Sequence, residues 1–138
     1  MALEEDAYHE LCAYTLAHGD PRFIHQHVVD AWLAQHATAR TRPIGIAFAL
    51  VGLYLMLEKK FTGREVQRAH QQMGREKHRW PTFVRPPSRG SLTAVEVRAA
   101  APGPARDAAI EAWCASVWAA YVENRETVAA LLREHGVL

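Results

Sequence analysis

Several absences narrow the reading before any motif does. Only two cysteines occur in 138 residues, Cys12 and Cys114, far apart and each within an apolar helical pattern. They read as buried free thiols in a reducing compartment rather than as a disulfide. No apolar run approaches the roughly 20 residues of a membrane-spanning helix. The acidic opening Met1-Ala2-Leu3-Glu4-Glu5-Asp6 lacks the basic-then-apolar order of an export signal, so a cytoplasmic protein is expected. A formal charge of +1 implies no overall pull toward nucleic acid or membrane. Strand patterns and internal repeats are missing. So are His-Glu-x-x-His, the Glu-x-x-His of carboxylate-bridged di-iron bundles, a nucleophile elbow around Ser88, Ser91 or Ser116, and a glycine-rich phosphate loop.

What is present is helical. The chain is 49% apolar and 22% charged, which suits one globular domain over residues 1–138. A first helix is expected from about Leu3 to Ala17. Gly19 reads as its left-handed cap, and Asp20-Pro21 opens a second helix to about His36. The third segment, Pro43 to about Leu57, is apolar on every side, so other helices must surround it. Gly45, Ala49 and Gly52 form a small-residue edge for a close neighbour. Thr62-Gly63-Arg64-Glu65 is a capping box for a fourth helix to about Arg79. Trp80-Pro81 ends it, and a Pro-rich loop of about a dozen residues follows, a length more common in functional loops than in connectors. Thr93 caps a short helical piece. Ala105 to about Glu134 is helical with an interruption near Asn124. The expected fold is an all-α bundle of about five helices around the buried central one.

Eight histidines are many for this length, and histidine is both the commonest metal ligand and the side chain that titrates near neutrality. Helix geometry restricts the His25-Gln26-His27-Val28-Val29-Asp30 run. His25 and His27 point about 200° apart and cannot share an ion. His27 and Asp30 can share a face, with His70 the best ligand from another helix, so a divalent-metal reading uses His27, Asp30 and His70. His25 and His36 lie about 16 Å apart along the axis and serve different sites or none. A catalytic reading takes His25 as general acid or base, oriented by Asp30, with His70 nearby. Four tryptophans supply flat walls. Trp113 and Trp118 read as core, whereas Trp80, beside the proline-rich loop, is a candidate pocket wall. Trp32, Gln35, His36 and Trp80 are the expected ligand-binding residues.

Charge is unevenly spread. Residues 58–89 carry nine Lys or Arg against three acids, and residues 1–30 carry six acids against Arg22. An acidic partner could therefore dock on residues 64–89, and the two halves permit a homodimer. No nucleic-acid-binding motif accompanies the basic stretch, so nucleic acid is not an expected partner.

Tyr8-His9-Glu10-Leu11, Phe23 to Trp32, Ala34-Gln35-His36, the Phe48 to Leu53 helix, Trp80-Pro81, Arg89-Gly90 with Thr93, and Trp113 with Ser116-Val117-Trp118 together resemble a bacterial family catalogued as a domain of unknown function. The resemblance spans roughly Tyr8 to Tyr121 and singles out His25, Asp30, Gln35 and His36. It implies no activity. Some relatives carry an N-terminal cysteine cluster suggestive of zinc, which this chain lacks. The expected function is small-molecule binding in an interior His/Trp pocket, metal-assisted or acid–base catalytic if it is an enzyme. The alternative is a non-catalytic docking module.

Overall fold

The computed structural model describes residues 2–18, 22–75 and 79–138, with no strand among them. The order is α1 (Ala2–Ala17), α2 (His25–Gln35), α3 (Pro43–Lys59), α4 (Gly63–Met73), α5 (Ala94–Ala99), α6 (Pro104–Tyr121) and α7 (Arg125–Glu134). A 3-10 turn, Val122–Asn124, separates the last two. The protein is all-α, with seven helices among the described residues rather than about five. The surplus comes from the separate short α5 and from the break that parts α6 from α7.

The central helix is where the sequence places it. Pro43 occupies the first turn of α3, where its missing N–H costs nothing. Buried residues run all round from Ile46 to Leu55, and α2, α4, α6 and α7 pack against it. Lys60 ends the helix in a left-handed conformation (φ 61°), and the next N–H, of Phe61, donates to the Leu55 carbonyl at 3.0 Å. The small-residue edge matters at one point. A Cβ on Gly52 would stand 1.8 Å from Oδ2 of Asp30, so the absence of a side chain is what seats the Asp30 carboxyl between α2 and α3.

Two helices are shorter than expected. Phe23 has φ 58°, which no helix accommodates, so α2 starts at His25 rather than at Pro21. The Gly19 and Asp20-Pro21 signals lie outside the described residues. The Thr62–Glu65 capping box forms as expected, but α4 ends at Met73 instead of near Arg79. Gly74 closes it by donating its N–H to the His70 carbonyl at 3.0 Å; Glu76, Lys77 and His78 lie outside the described residues.

The long loop is a strap fastened along its length. Asn124, buried in the 3-10 turn, accepts from Val84 N–H at 2.7 Å and donates to the Val84 carbonyl at 2.8 Å. That pairing fastens the strap to the turn between α6 and α7. Gln35 Nε2 donates to the Arg89 (3.2 Å) and Leu92 (2.7 Å) carbonyls, while its Oε1 accepts from the buried Trp113 indole at 2.9 Å. Arg85 and Arg89 reach back to the Thr38 and Ala37 carbonyls just beyond α2. Replacing Gln35 with leucine keeps the volume but leaves the Trp113 N–H and two carbonyls without this partner. The expected loss is about 2 kcal/mol in urea unfolding. A Gln35→Leu protein as stable as the parent would mean that the strap is held by its other contacts alone.

Candidate functional site

The residues singled out by sequence do not converge on one cavity. His25 Nδ1 lies 3.1 Å from the Thr15 hydroxyl, which itself donates to the Leu11 carbonyl at 2.9 Å. Asp30 is 2% exposed and does not touch His25; its Oδ1 accepts from Gln26 Nε2 at 3.1 Å, and its Oδ2 has no partner. The expected pairing, Asp30 orienting His25, is therefore not formed. The two stand five residues apart on α2 and face different neighbours. Burial holds the Asp30 carboxyl well above the usual carboxylate range, only partly opposed by the Gln26 hydrogen bond.

His70 donates from Nε2 to the Phe48 carbonyl at 2.8 Å and stacks on the Phe48 ring at 4.7 Å. This joins α4 to α3 and occupies the imidazole. Burial lowers the pKa of both His25 and His70. The metal set His27, Asp30 and His70 is not assembled either: among the described residues, no three His, Cys, Asp or Glu side chains come together as a metal site would need.

Trp32 is sandwiched between Tyr8 (centroids 4.4 Å apart, planes at 6°) and His36 (3.7 Å, 27°), so neither face is open as a wall. His36 donates from Nδ1 to the Trp32 carbonyl at 3.1 Å, and its Nε2 lies 3.6 Å from Glu4 Oε1. With Gln35 and Arg89 it edges a polar recess of about 460 Å³. Trp80 stacks on His135 and lines a separate cavity of about 630 Å³ with Pro81, Ala130 and Leu131. Trp113 and Trp118 are core residues whose indole N–H groups are satisfied, by Gln35 and by Glu58 at 2.8 Å.

A different constellation has the marks of a site. Where α2 begins, α3 ends and α6 passes, a cleft of about 390 Å³ is lined by His27 and Met56 together with Arg22, Lys60, Asp107 and Glu111. Ile24, Phe61, Thr62, Ala108 and Ile110 complete its surface. His27 is 6% exposed, and its Nδ1 is buried without a hydrogen-bond partner. Such an atom costs about 1–3 kcal/mol unless something supplies a partner. Burial, with a smaller contribution from the Arg22 charge, lowers the His27 pKa from 6.5 to about 4, so the imidazole is neutral at physiological pH.

The backbone around this cleft is also unusual. Among the described residues, the non-glycine positions with positive φ are Phe23, between lining residues Arg22 and Ile24, and Lys60, itself a lining residue. Conformations of this kind cost of order 1–3 kcal/mol and cluster at functional sites. Close packing enforces one of them. A Cβ on Gly63, the first residue of α4, would meet the Phe23 carbonyl oxygen at 1.8 Å, and Arg64 N–H donates to the Arg22 carbonyl at 3.2 Å. The start of α4 is thus pressed against the turn that carries Arg22.

His27 entered the sequence reading only as a metal ligand. The positive-φ residues could not be foreseen, since Phe and Lys carry no turn signal. The buried face of α2 comprises His27, Val28, Asp30, Ala31 and Ala34, and two of those five are residues that patterning sends to solvent.

These features define an all-α bundle with a strapped loop and a polar-walled cleft over a buried neutral histidine. The chain belongs to DUF5946, a family of unknown function, whose model matches residues 5–122. All the lining residues of the His27 cleft fall within that match, whereas the α7 wall of the Trp80 cavity falls beyond it. No curated protein and no solved structure matches the chain. No helix among the described residues is long and apolar enough to cross a membrane.

Proposed function

We propose that this protein binds a small organic molecule in the cleft around His27. The observation that carries the reading is the cleft itself, about 390 Å³, a volume that suits a small ligand, with polar and apolar side chains in its wall. Binding is favoured over acid–base catalysis, because a general base works best with a pKa near the operating pH and His27 lies well below it. A neutral imidazole still donates one hydrogen bond and accepts another.

Docking of an acidic partner on residues 64–89 has less support. Arg85 and Arg89 are turned onto the Thr38 and Ala37 carbonyls, and Arg64 lies over the Phe23 ring, 4.1 Å from its centroid. Lys77, one of the cations on which that reading relied, lies outside the described residues.

The test uses the exposed cleft residue Ala108. Ala108→Trp fills the cleft from its solvent side without entering the core. Melting should be followed with a panel of carboxylates, amino acids, phosphates and nucleosides. A ligand at a hundred times its Kd stabilises the fold by about 2.7 kcal/mol. At least one class should raise the melting temperature of the parent and leave Ala108→Trp unmoved. A panel in which every hit survives Ala108→Trp would move binding away from the cleft.

A further inference from the structure

We propose that the outer face of α2, with the flanks of α1 and α4 on either side of it, docks a second copy of this chain about a two-fold axis parallel to α2. Three sides of α2 are covered. The His27 and Ala34 carbonyls accept from Cys114 Sγ (3.5 Å) and Tyr121 Oη (2.6 Å) of α6. His25, Trp32 and His36 meet Thr15, Tyr8 and Glu4 of α1. Asp30 sits against Gly52 of α3, and α4 starts against Phe23. Val29 and Leu33, four apart and so on one face, are left between the α1 and α4 flanks. Leu33 is 41% exposed.

The two flanks carry opposite charge. On α1, Glu4, Tyr8 and Thr15 face α2, so the next strip round that helix borders the open face; it carries Glu5, with Asp6 beyond it, and both are exposed. On α4, His70 reaches the Phe48 carbonyl of α3, and the exposed strip is Arg64, Arg68 and Arg75. Glu65, the one acid of α4, is taken up by the Thr62 N–H. A partner of one charge would meet one flank and be repelled by the other, whereas a second copy of this face matches both.

Charge also selects the symmetry. A two-fold axis across α2 would set α1 on α1 and α4 on α4, like on like. An axis parallel to α2 sets α1 of each copy on α4 of the other, keeps every residue at its own level, and brings Val29 and Leu33 of both to the centre. The levels agree. Glu4 lies by His36 and Tyr8 by Trp32, so Glu5 and Asp6 stand at the C-terminal end of α2. His70 meets Phe48, one turn along α3 from the Gly52 that faces Asp30, so Arg68 and Arg75 bracket that same end. Each half of the contact brings Glu5 and Asp6 onto Arg68 and Arg75.

Sedimentation equilibrium of the full chain tests the pairing. The parent should be a dimer at about 100 µM and dissociate as salt rises, as a small charged interface does. Leu33→Glu sets two carboxylates together at the axis and should leave a monomer of unchanged helix content. Asp6→Arg and Arg75→Glu should each weaken the dimer at least about tenfold, since each creates the same repulsion twice. Mixed in equal amounts, these two variants should pair as tightly as the parent, because the new acid of one meets the new cation of the other while the second contact keeps its original pair. A parent monomeric at that concentration, or a dimer indifferent to Leu33→Glu and to both reversals, would overturn the proposal. So would a mixture no tighter than its components, or a monomeric parent held on heparin through Arg68 and Arg75, which would assign the cations to an acidic partner instead.

Discussion

Gly52→Ala will lower stability by about 3 kcal/mol, near the upper end of what overpacking a core usually costs. For a chain of this length that corresponds to a fall of about 10 °C in melting temperature. The added methyl would stand 1.8 Å from Oδ2 and 2.5 Å from Cγ of Asp30, which is itself 2% exposed. Either α2 and α3 part, or a buried carboxyl is driven from its seat. The partner in the clash can be identified by rescue. Asp30→Ala alone removes a buried carboxyl with one hydrogen bond and one unpartnered oxygen, and should cost no more than about 1 kcal/mol. In the double variant most of the Gly52→Ala penalty should disappear, a strong favourable coupling. Chemical denaturation of the four proteins measures it. Additive losses would show that the methyl meets something other than Asp30.

The second large effect is a pH dependence traceable to His27. Unfolded, its imidazole takes a proton below about 6.5; folded, it does so only near 4. Between those values the unfolded chain binds more protons, so the His27 contribution is present above pH 6.5 and is lost as pH falls toward 4. The difference is on the order of 3 kcal/mol. His25 and His70, also lowered, act in the same direction. Asp30 acts in the opposite one: its raised pKa means that the unfolded chain gives up its proton first, so its contribution weakens as pH rises above the ordinary carboxylate value. Subtraction isolates His27. The stability gap between the parent and His27→Gln, measured at pH 7.5 and again at pH 4.5, should shift against the parent on acidification. An unchanged gap would mean that His27 is not held neutral by burial.

The two effects share an origin in α2, which buries a histidine and an aspartate where patterning expects apolar residues. That is also why the sequence found the right helix and assigned its polar residues unevenly. Spacing established that His25 and His27 face apart, and they do meet different surroundings, Thr15 on one side and the cleft on the other. Spacing could not establish which of them meets a cavity, because α6 and the α3–α4 junction form that cavity from positions some 30 to 80 residues along the chain. Trp32 shows the same limit: its size marked it as a wall, while the two rings that cover it come from separate sites, Tyr8 on α1 and His36 beyond α2.

Local chemistry was sufficient for the helices, for the apolar centre from Pro43 to about Leu57, for the Thr62 capping box and for the Thr93 cap, because each depends on residues within about one or two turns of one another. The strap, the seat of Asp30 at Gly52, the left-handed Phe23 against Gly63, and the cleft over His27 were decided only when distant segments packed. Each requires a hydrogen bond or a close approach between residues far apart in the chain, and neither periodicity nor spacing encodes which distant groups will meet.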